Sequence, residues 1–290
     1  HWMVRRQRQM CIRDRASLRQ ADMGRWQLNE GWHASAAIGR TLGKHVMRLW
    51  PVTGLIIATL LTALTAASAM AESALSLYTA EYKTKVAGLS VTLTRTLTEN
   101  NGRYHLFQGG RKAFVVKLSE DSDFSVEGDR IVGEQFIYQL SGISNRRREV
   151  LFDEEAGTIR SLRKKEWTEH PWSPEVLDRL SQQEQMRLKL LLAEAPPERI
   201  SLSIVDGPKI KLKHFDLIDT TVIETPVGGL NTVHYRLIHD EPDERSSDTW
   251  LAVDHDFLMV RTEHVEKGSK TVIQLHSATI EGQAVSGAVP

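Results

Sequence analysis

The chain has 290 residues with 37 Lys+Arg against 37 Asp+Glu and a single cysteine, Cys11. Residues 1–71 hold ten of the basic and three of the acidic residues, which leaves 27 basic against 34 acidic from Glu72 onward. An acidic domain argues against nucleic-acid binding, which rests on neutralisation of phosphates by Lys and Arg, and a cysteine-free one rules out disulfides, thiolate catalysis and Cys-ligated zinc.

The chain opens on His1, and Met10-Cys11-Ile12-Arg13-Asp14-Arg15 reads as the translation of a sequencing-library adapter. Residues 1–15 are therefore expected to be non-native, and 16–46 translated leader ahead of a start at Met47. A native basic arm is the alternative. From Met47 to Ala71 the pattern is that of a cleavable signal peptide. Arg48, with Lys44 and Arg40 upstream, forms the positive flank, and Val52 to Ala67 is apolar and uncharged. Ala69-Met70-Ala71 is the A-x-A cleavage site, before polar Glu72-Ser73. A retained anchor would need an apolar span of ~20 residues, longer than this one. No cysteine follows to accept a lipid, so the product is expected to be exported, periplasmic, soluble and not lipidated. Its roughly 219 residues are enough to bury about 70% of the surface the unfolded chain exposes.

From Tyr78 onward, alternation punctuated by turns predicts antiparallel strands. Phe136, Tyr138 and Leu140 alternate with polar residues, as do Ile200, Leu202 and Ile204, then Ile210 and Leu212, then Val233, Tyr235 and Leu237. Asn100-Asn101-Gly102, Glu127-Gly128-Asp129, Ala156-Gly157, Val227-Gly228-Gly229 and Lys267-Gly268 are turn signals between them. About a dozen strands at this spacing favour a curved antiparallel sheet, an open barrel or a sandwich. One helix of about 20 residues is expected after Ser173-Pro174-Glu175. Val176, Leu177, Leu180, Leu188 and Leu191 would form its apolar stripe against one face of the sheet, and Pro196-Pro197 would stop it. Residues 72–282 read as one domain, with 283–290 a disordered tail.

The mature chain has no G-x-S-x-G, H-E-x-x-H, P-loop or G-x-G-x-x-G motif. Its eight histidines include no same-face pair two residues apart on a strand, so they are read as surface or hydrogen-bonded residues, and no metal or cofactor is expected. Glu134, Asp178, Glu224 and Glu263 are candidate members of a buried acid–base pair, but nothing in the sequence brings any two together, and no catalytic role is assigned. Arg146, Arg147 and Arg148, with Arg160, Arg163, Lys164 and Lys165, flank the turn at Asp153 to Gly157. On one edge they would face an anionic partner; solvated, edge-protecting charge is the other reading. Trp167 and Trp172 bracket the approach to the helix. With Trp250 they are candidates for the mouth of a ligand cleft, or for sealing the helix onto the sheet.

Four stretches resemble domain of unknown function 3108, a family of exported bacterial envelope proteins. They are Tyr78 to Leu89, Phe152 to Thr158, Glu224 to Val233, and Trp250 to Arg261, where Met259 departs from the proline common in the family. Asp178-Arg179-Leu180-Ser181 falls where the family also has a helix. The resemblance covers nearly all of residues 75–282 and implies an exported, mostly antiparallel domain, but no activity and no catalytic residues. The expected function is non-enzymatic binding of an apolar or amphiphilic ligand, such as a lipid or lipid-linked molecule. A scaffold or interaction domain in envelope assembly is the alternative, and a hydrolase of envelope glycans the third. The expected partners are a lipid or amphiphile, or an envelope protein; neither nucleic acid nor lasting membrane insertion is expected.

Overall fold

A computed structural model describes residues 74–288 apart from 87–88, 113–115, 143–144 and 241. The proposed leader, the signal peptide and its cleavage residues Ala69 and Ala71 lie outside the described residues.

Eight strands come first: β1 (Tyr78–Val86), β2 (Leu89–Asn100), β3 (Arg103–Lys112), β4 (Val116–Glu127), β5 (Arg130–Gly142), β6 (Arg146–Asp153), β7 (Thr158–Arg163) and β8 (Glu166–Pro171). A short strand β9 (Val176–Leu177) and the helix α1 (Ser181–Leu192) follow. Then come β10 (Arg199–Asp206), β11 (Lys209–Thr225), β12 (Gly228–Leu237), β13 (Arg245–Ala252), β14 (Leu258–Glu266), β15 (Ser269–Ile280) and β16 (Gln283–Ala284).

All sixteen join one sheet. Two meanders, β1 to β8 and β10 to β15, are fused where β1 pairs antiparallel with β15. The turns follow local chemistry. Asn101-Gly102 and Lys267-Gly268 are two-residue connections with both residues at positive φ, the geometry that matches strand twist.

The sheet is strongly curved, with bulges at Glu81/Tyr82, Asp123/Phe124, Leu217/Asp219 and Trp250/Leu251, each bending its strand. Its two ends approach without closing a ladder. Arg163 Nη1 reaches Asp206 Oδ2 at 3.0 Å, Arg148 Nη1 lies 3.7 Å from Asp206 Oδ1, and His170 Nε2 is 3.0 Å from the Gly207 carbonyl. The result is a barrel-like sheet held across its seam by side chains. Residues of one parity line the inside: Tyr78, Ala80 and Tyr82 on β1, Leu93 and Leu97 on β2, and Val233 and Tyr235 on β12 are all buried.

The helix differs from its expected form. It begins at Ser181, eight residues after Ser173, because Val176-Leu177 pair parallel with Ser203-Ile204 of β10. Ser173 merely closes a turn, accepting from Val176 N at 3.2 Å through its carbonyl. Asp178 serves the true start: its carboxylate accepts from the backbone N–H of Leu180 and Ser181 at 2.6 and 2.9 Å. α1 lies against the concave face of the curved sheet as expected, but not by an apolar stripe. Glu184, Gln185, Met186, Arg187 and Leu188 are consecutive and all buried. At 100° per residue, five in a row point in every direction around the axis, so the curled sheet encloses the helix.

The C-terminal end also departs from the expected tail. β16 pairs with β15, Val285 is buried, and Gly229 and Ala288 exchange backbone hydrogen bonds at 2.9 and 3.0 Å. Backbone pairing needs no apolar pattern, and Gly287 permits the close approach: a Cβ there would lie 2.3 Å from the Gly229 carbonyl oxygen.

Candidate functional site

Enclosure of a polar helix places charge inside the barrel. Glu184 sits between two guanidinium groups, with Arg95 Nη2 at 3.0 Å from Oε1 and Arg187 Nη1 at 2.6 Å from Oε2. All three side chains are at most 2% exposed. Tyr78 donates its hydroxyl to Glu184 Oε1 at 2.7 Å, and Arg95 also donates to Gln183 Oε1. Arg187 donates Nε to the Asp256 carbonyl at 3.0 Å and lies over the Tyr78 ring at 4.9 Å. Burial pushes the Glu184 carboxyl up, but Arg187, Arg95 and the Tyr78 hydroxyl outweigh it and hold the group below the ordinary glutamate value. Burial raises Tyr78 well above the usual tyrosine value, which keeps it a phenol donor.

A second buried group holds the start of the helix. Asp178 Oδ2 accepts from the Ser122 and Ser181 hydroxyls at 2.8 and 2.7 Å. Burial lifts this carboxyl, and these hydrogen bonds only partly oppose it. Of the acids singled out from sequence, Asp178 alone is fully buried, and its neighbours give it a structural part. Glu134 and Glu263 are half-buried and Glu224 is exposed, each at a separate place.

Beside α1 lies a cavity of ≈ 300 Å³, bounded on its other side by β11 to β14. Its floor is Tyr78, Arg95, Glu184 and Arg187; Met186, Phe215, Leu237, Leu251 and Met259 supply apolar wall. Arg179, Lys213 and His264 lie at its more exposed rim. Two buried polar atoms of lining residues, Arg95 Nε and Gln182 Oε1, have no hydrogen-bond partner. The Lys213 side chain makes no hydrogen bond or ion pair among the described residues. The carboxylate whose field reaches it, Asp206, is already engaged by Arg148 and Arg163. Burial, with Arg179 and Lys211, pulls the Lys213 ammonium below its ordinary value against the pull of Asp206.

The rim also holds a serine between two imidazoles. Ser247 Oγ is 2.8 Å from His264 Nδ1 and 3.0 Å from His239 Nε2. Burial, with Arg245 and His264, pushes His239 down, toward the neutral ring. A serine beside a base is the start of nucleophilic chemistry, but the third partner is poorly placed. Glu266 stands 3.7 Å from His264 Nε2, half-exposed, and is paired with Arg245. This geometry suits hydrogen bonding at a rim better than catalysis.

The residues chosen from sequence lie elsewhere. Trp167 is exposed on the outer face of β8 with Arg160 at 4.9 Å over its ring, and Trp172 packs against the core. Trp250, on β13, stacks on His234 at 4.3 Å and 14°. The structure does not bring the three together, and none lines the cavity beside α1. The basic residues divide by strand parity. Arg147 and Arg160 face outward, Arg147 pairing with Glu149 at 2.7 Å. Arg146, Arg148 and Arg163 share the other face, where the latter two engage Asp206. Lys164 and Lys165 form the β7–β8 turn, both at positive φ.

Arg95 carried a readable signal: on β2 it occupies the inward parity between buried Leu93 and Leu97. Glu184 and Arg187, three apart on a helix, carried another. Nothing local marks Lys213. Among the described residues, no group of three or more His, Cys, Asp or Glu could hold a metal ion. No helix among them is long and apolar enough to cross a membrane.

The fold and cavity define a barrel-like, mainly antiparallel β-protein with a helix enclosed in its sheet. No family model and no curated protein matches the chain. Among solved structures, it is similar to a beta-barrel-like protein of domain of unknown function DUF1849 from Brucella abortus. That similarity covers 71% of this chain and 98% of the other, at 10% identity and a TM-score of 0.46. A second, described as "a putative lipoprotein" from Parabacteroides distasonis, is similar over 70% and 95%, at 12% identity and a TM-score of 0.28. Neither likeness carries an argument about activity.

Proposed function

We propose that this is an exported, periplasmic envelope protein that binds an apolar or amphiphilic ligand in the cavity beside α1, without catalysing a reaction on it. The observation that carries the reading is the cavity's composition: an apolar wall facing buried polar atoms that lack partners. Buried groups left unpaired cost about 1–3 kcal/mol each, so their persistence at a cavity wall supports a visiting ligand or bound water. The volume of ≈ 300 Å³ is at the lower end of the ~300–1,000 Å³ typical of small-molecule sites, which favours a single-chain molecule over a multi-chain lipid. The resemblance to domain of unknown function 3108, with the signal-peptide pattern, supports the location and belongs to the same proposal.

The test is native mass spectrometry and organic extraction of protein purified from periplasm. Recovery of a stoichiometric small molecule is the expected result; ligand-free protein in repeated preparations would refute the reading.

A scaffold role has one observation in its favour. Ile210, Leu212, Ile218 and Val222 of β11, with Ile238, are exposed apolar side chains, an unusual concentration on one strand region. Capture of an envelope protein that is lost on Leu212→Asp would favour it.

A further inference from the structure

The charges around the cavity do not balance. On the floor, Arg95 and Arg187 share the single carboxylate of Glu184. At the rim, Arg179 is matched by Glu120 at 3.2 Å, but Lys213 has no such partner. The other two acids among the lining residues, Asp248 and Glu263, are already occupied. Asp248 is held by His234 and Arg236 at 2.7 Å each, and Glu263 by Lys270 at 2.6 Å and by Arg261. Both also fall on the outward parity of their strands, as Trp250 and Arg261 do, whereas Ser247, Thr249 and Leu251 face in. The inner wall therefore carries two more positive charges than negative ones.

Uncompensated charge in a partly desolvated site is unfavourable, and an entering anion relieves it. A cation would meet repulsion from both Arg95 and Lys213. An uncharged molecule would leave Lys213 and Arg95 Nε as they are. The apolar wall, meanwhile, offers nothing to a bare inorganic anion.

We propose that the cavity selects a small single-chain amphiphile with one acidic headgroup, a carboxylate or a phosphate monoester. Lys213 receives the headgroup at the rim, while Met186, Phe215, Leu237, Leu251 and Met259 pack its tail. Arg95 Nε offers a donor to a headgroup that reaches the floor. The assignment rests on the binding function proposed above and narrows it to one headgroup class.

The experiment uses the mature chain and four eight-carbon probes: octanoate, octyl phosphate, octanol and octyltrimethylammonium. Inorganic phosphate is the fifth, and binding is read by calorimetry. The acidic probes are expected to bind at least roughly tenfold tighter than octanol, a difference of about 1.4 kcal/mol, with no binding by the cation or by phosphate alone. The ratio of octanoate to octyl phosphate separates the two headgroup sources. Lys213→Met keeps the apolar stem and is expected to remove the advantage of the acidic probes over octanol. Lys213→Arg should restore it, and melting curves check that both variants fold. Equal affinity for acidic and neutral probes would overturn the headgroup assignment and leave the binding function standing. So would an acidic preference that survives Lys213→Met. No binding by any probe, together with ligand-free protein from periplasm, would remove both. Tight binding of phosphate alone would show an anion site and overturn the amphiphile.

Discussion

Replacing Glu184 by glutamine keeps the size of the side chain and removes one negative charge from between two guanidinium groups. The structure sets the magnitude. A solvent-exposed ion pair is worth about 0–1 kcal/mol, but these side chains are at most 2% exposed. Removing one partner of a buried pair costs roughly 3–5 kcal/mol, because the remaining charge is left without compensation. Here two charges are left, so Glu184→Gln should fall in the upper part of that range. For a domain of this size the melting temperature should drop by about 8–20 °C. Thermal unfolding followed by circular dichroism, with urea titration for the free energy, reads the effect. The pH dependence gives a second check. Glu184 is held below its unfolded value, so its contribution is fully present above the ordinary glutamate pKa of about 4.3. It is lost as pH falls through the lower folded value. The gap between wild type and variant should therefore be widest at neutral pH and close in acid. The triple replacement Arg95→Met, Glu184→Leu, Arg187→Met should recover much of the loss, since apolar substitutes remove the stranded charge. A loss below about 1 kcal/mol for Glu184→Gln would refute the reasoning.

Other outcomes follow from single features of the fold. Lys164 and Lys165 both occupy the left-handed region, at roughly 1–2 kcal/mol each, so Lys164→Asn with Lys165→Gly should stabilise the protein by about 1 kcal/mol or more; an unchanged urea midpoint would count against it. Gly287→Ala would set a methyl group against the Gly229 carbonyl. Faster amide exchange over residues 283–288, with the sheet unaffected, is expected, and unchanged protection would contradict it. Asp206→Asn removes the partner of Arg148 and Arg163 across the seam. Because these groups are part-exposed, global stability should fall by less than about 1 kcal/mol, while exchange at β7 and β10 quickens. A global loss several times larger would mean that the seam supports the whole barrel.

The strands were largely legible because alternation and turn chemistry are local. Asn101-Gly102 determines its hairpin whatever surrounds it, and Ile200, Leu202 and Ile204 read as one buried face and are one. The helix was legible only in existence. Ser173-Pro174 carries the local marks of a helix start, yet pairing of Val176-Leu177 with β10 takes precedence, because a neighbouring strand satisfies the backbone there.

The candidate site was the least legible part. Trp167, Trp172 and Trp250 stood out as large aromatic side chains, but their separation in space follows from strand positions that no local pattern encodes. By itself the sequence determined the β-class, most of the hairpins and the existence of the helix between the two groups of strands. Tertiary structure alone decided that the helix lies within the curl of the sheet, that Glu184 meets both Arg95 and Arg187, and that Lys213 stands unmatched at the rim. The physical reason is range: hydrogen-bonded turns and side-chain alternation act between near neighbours in the chain, whereas the balance of charge in a cavity depends on which distant strands curvature brings together.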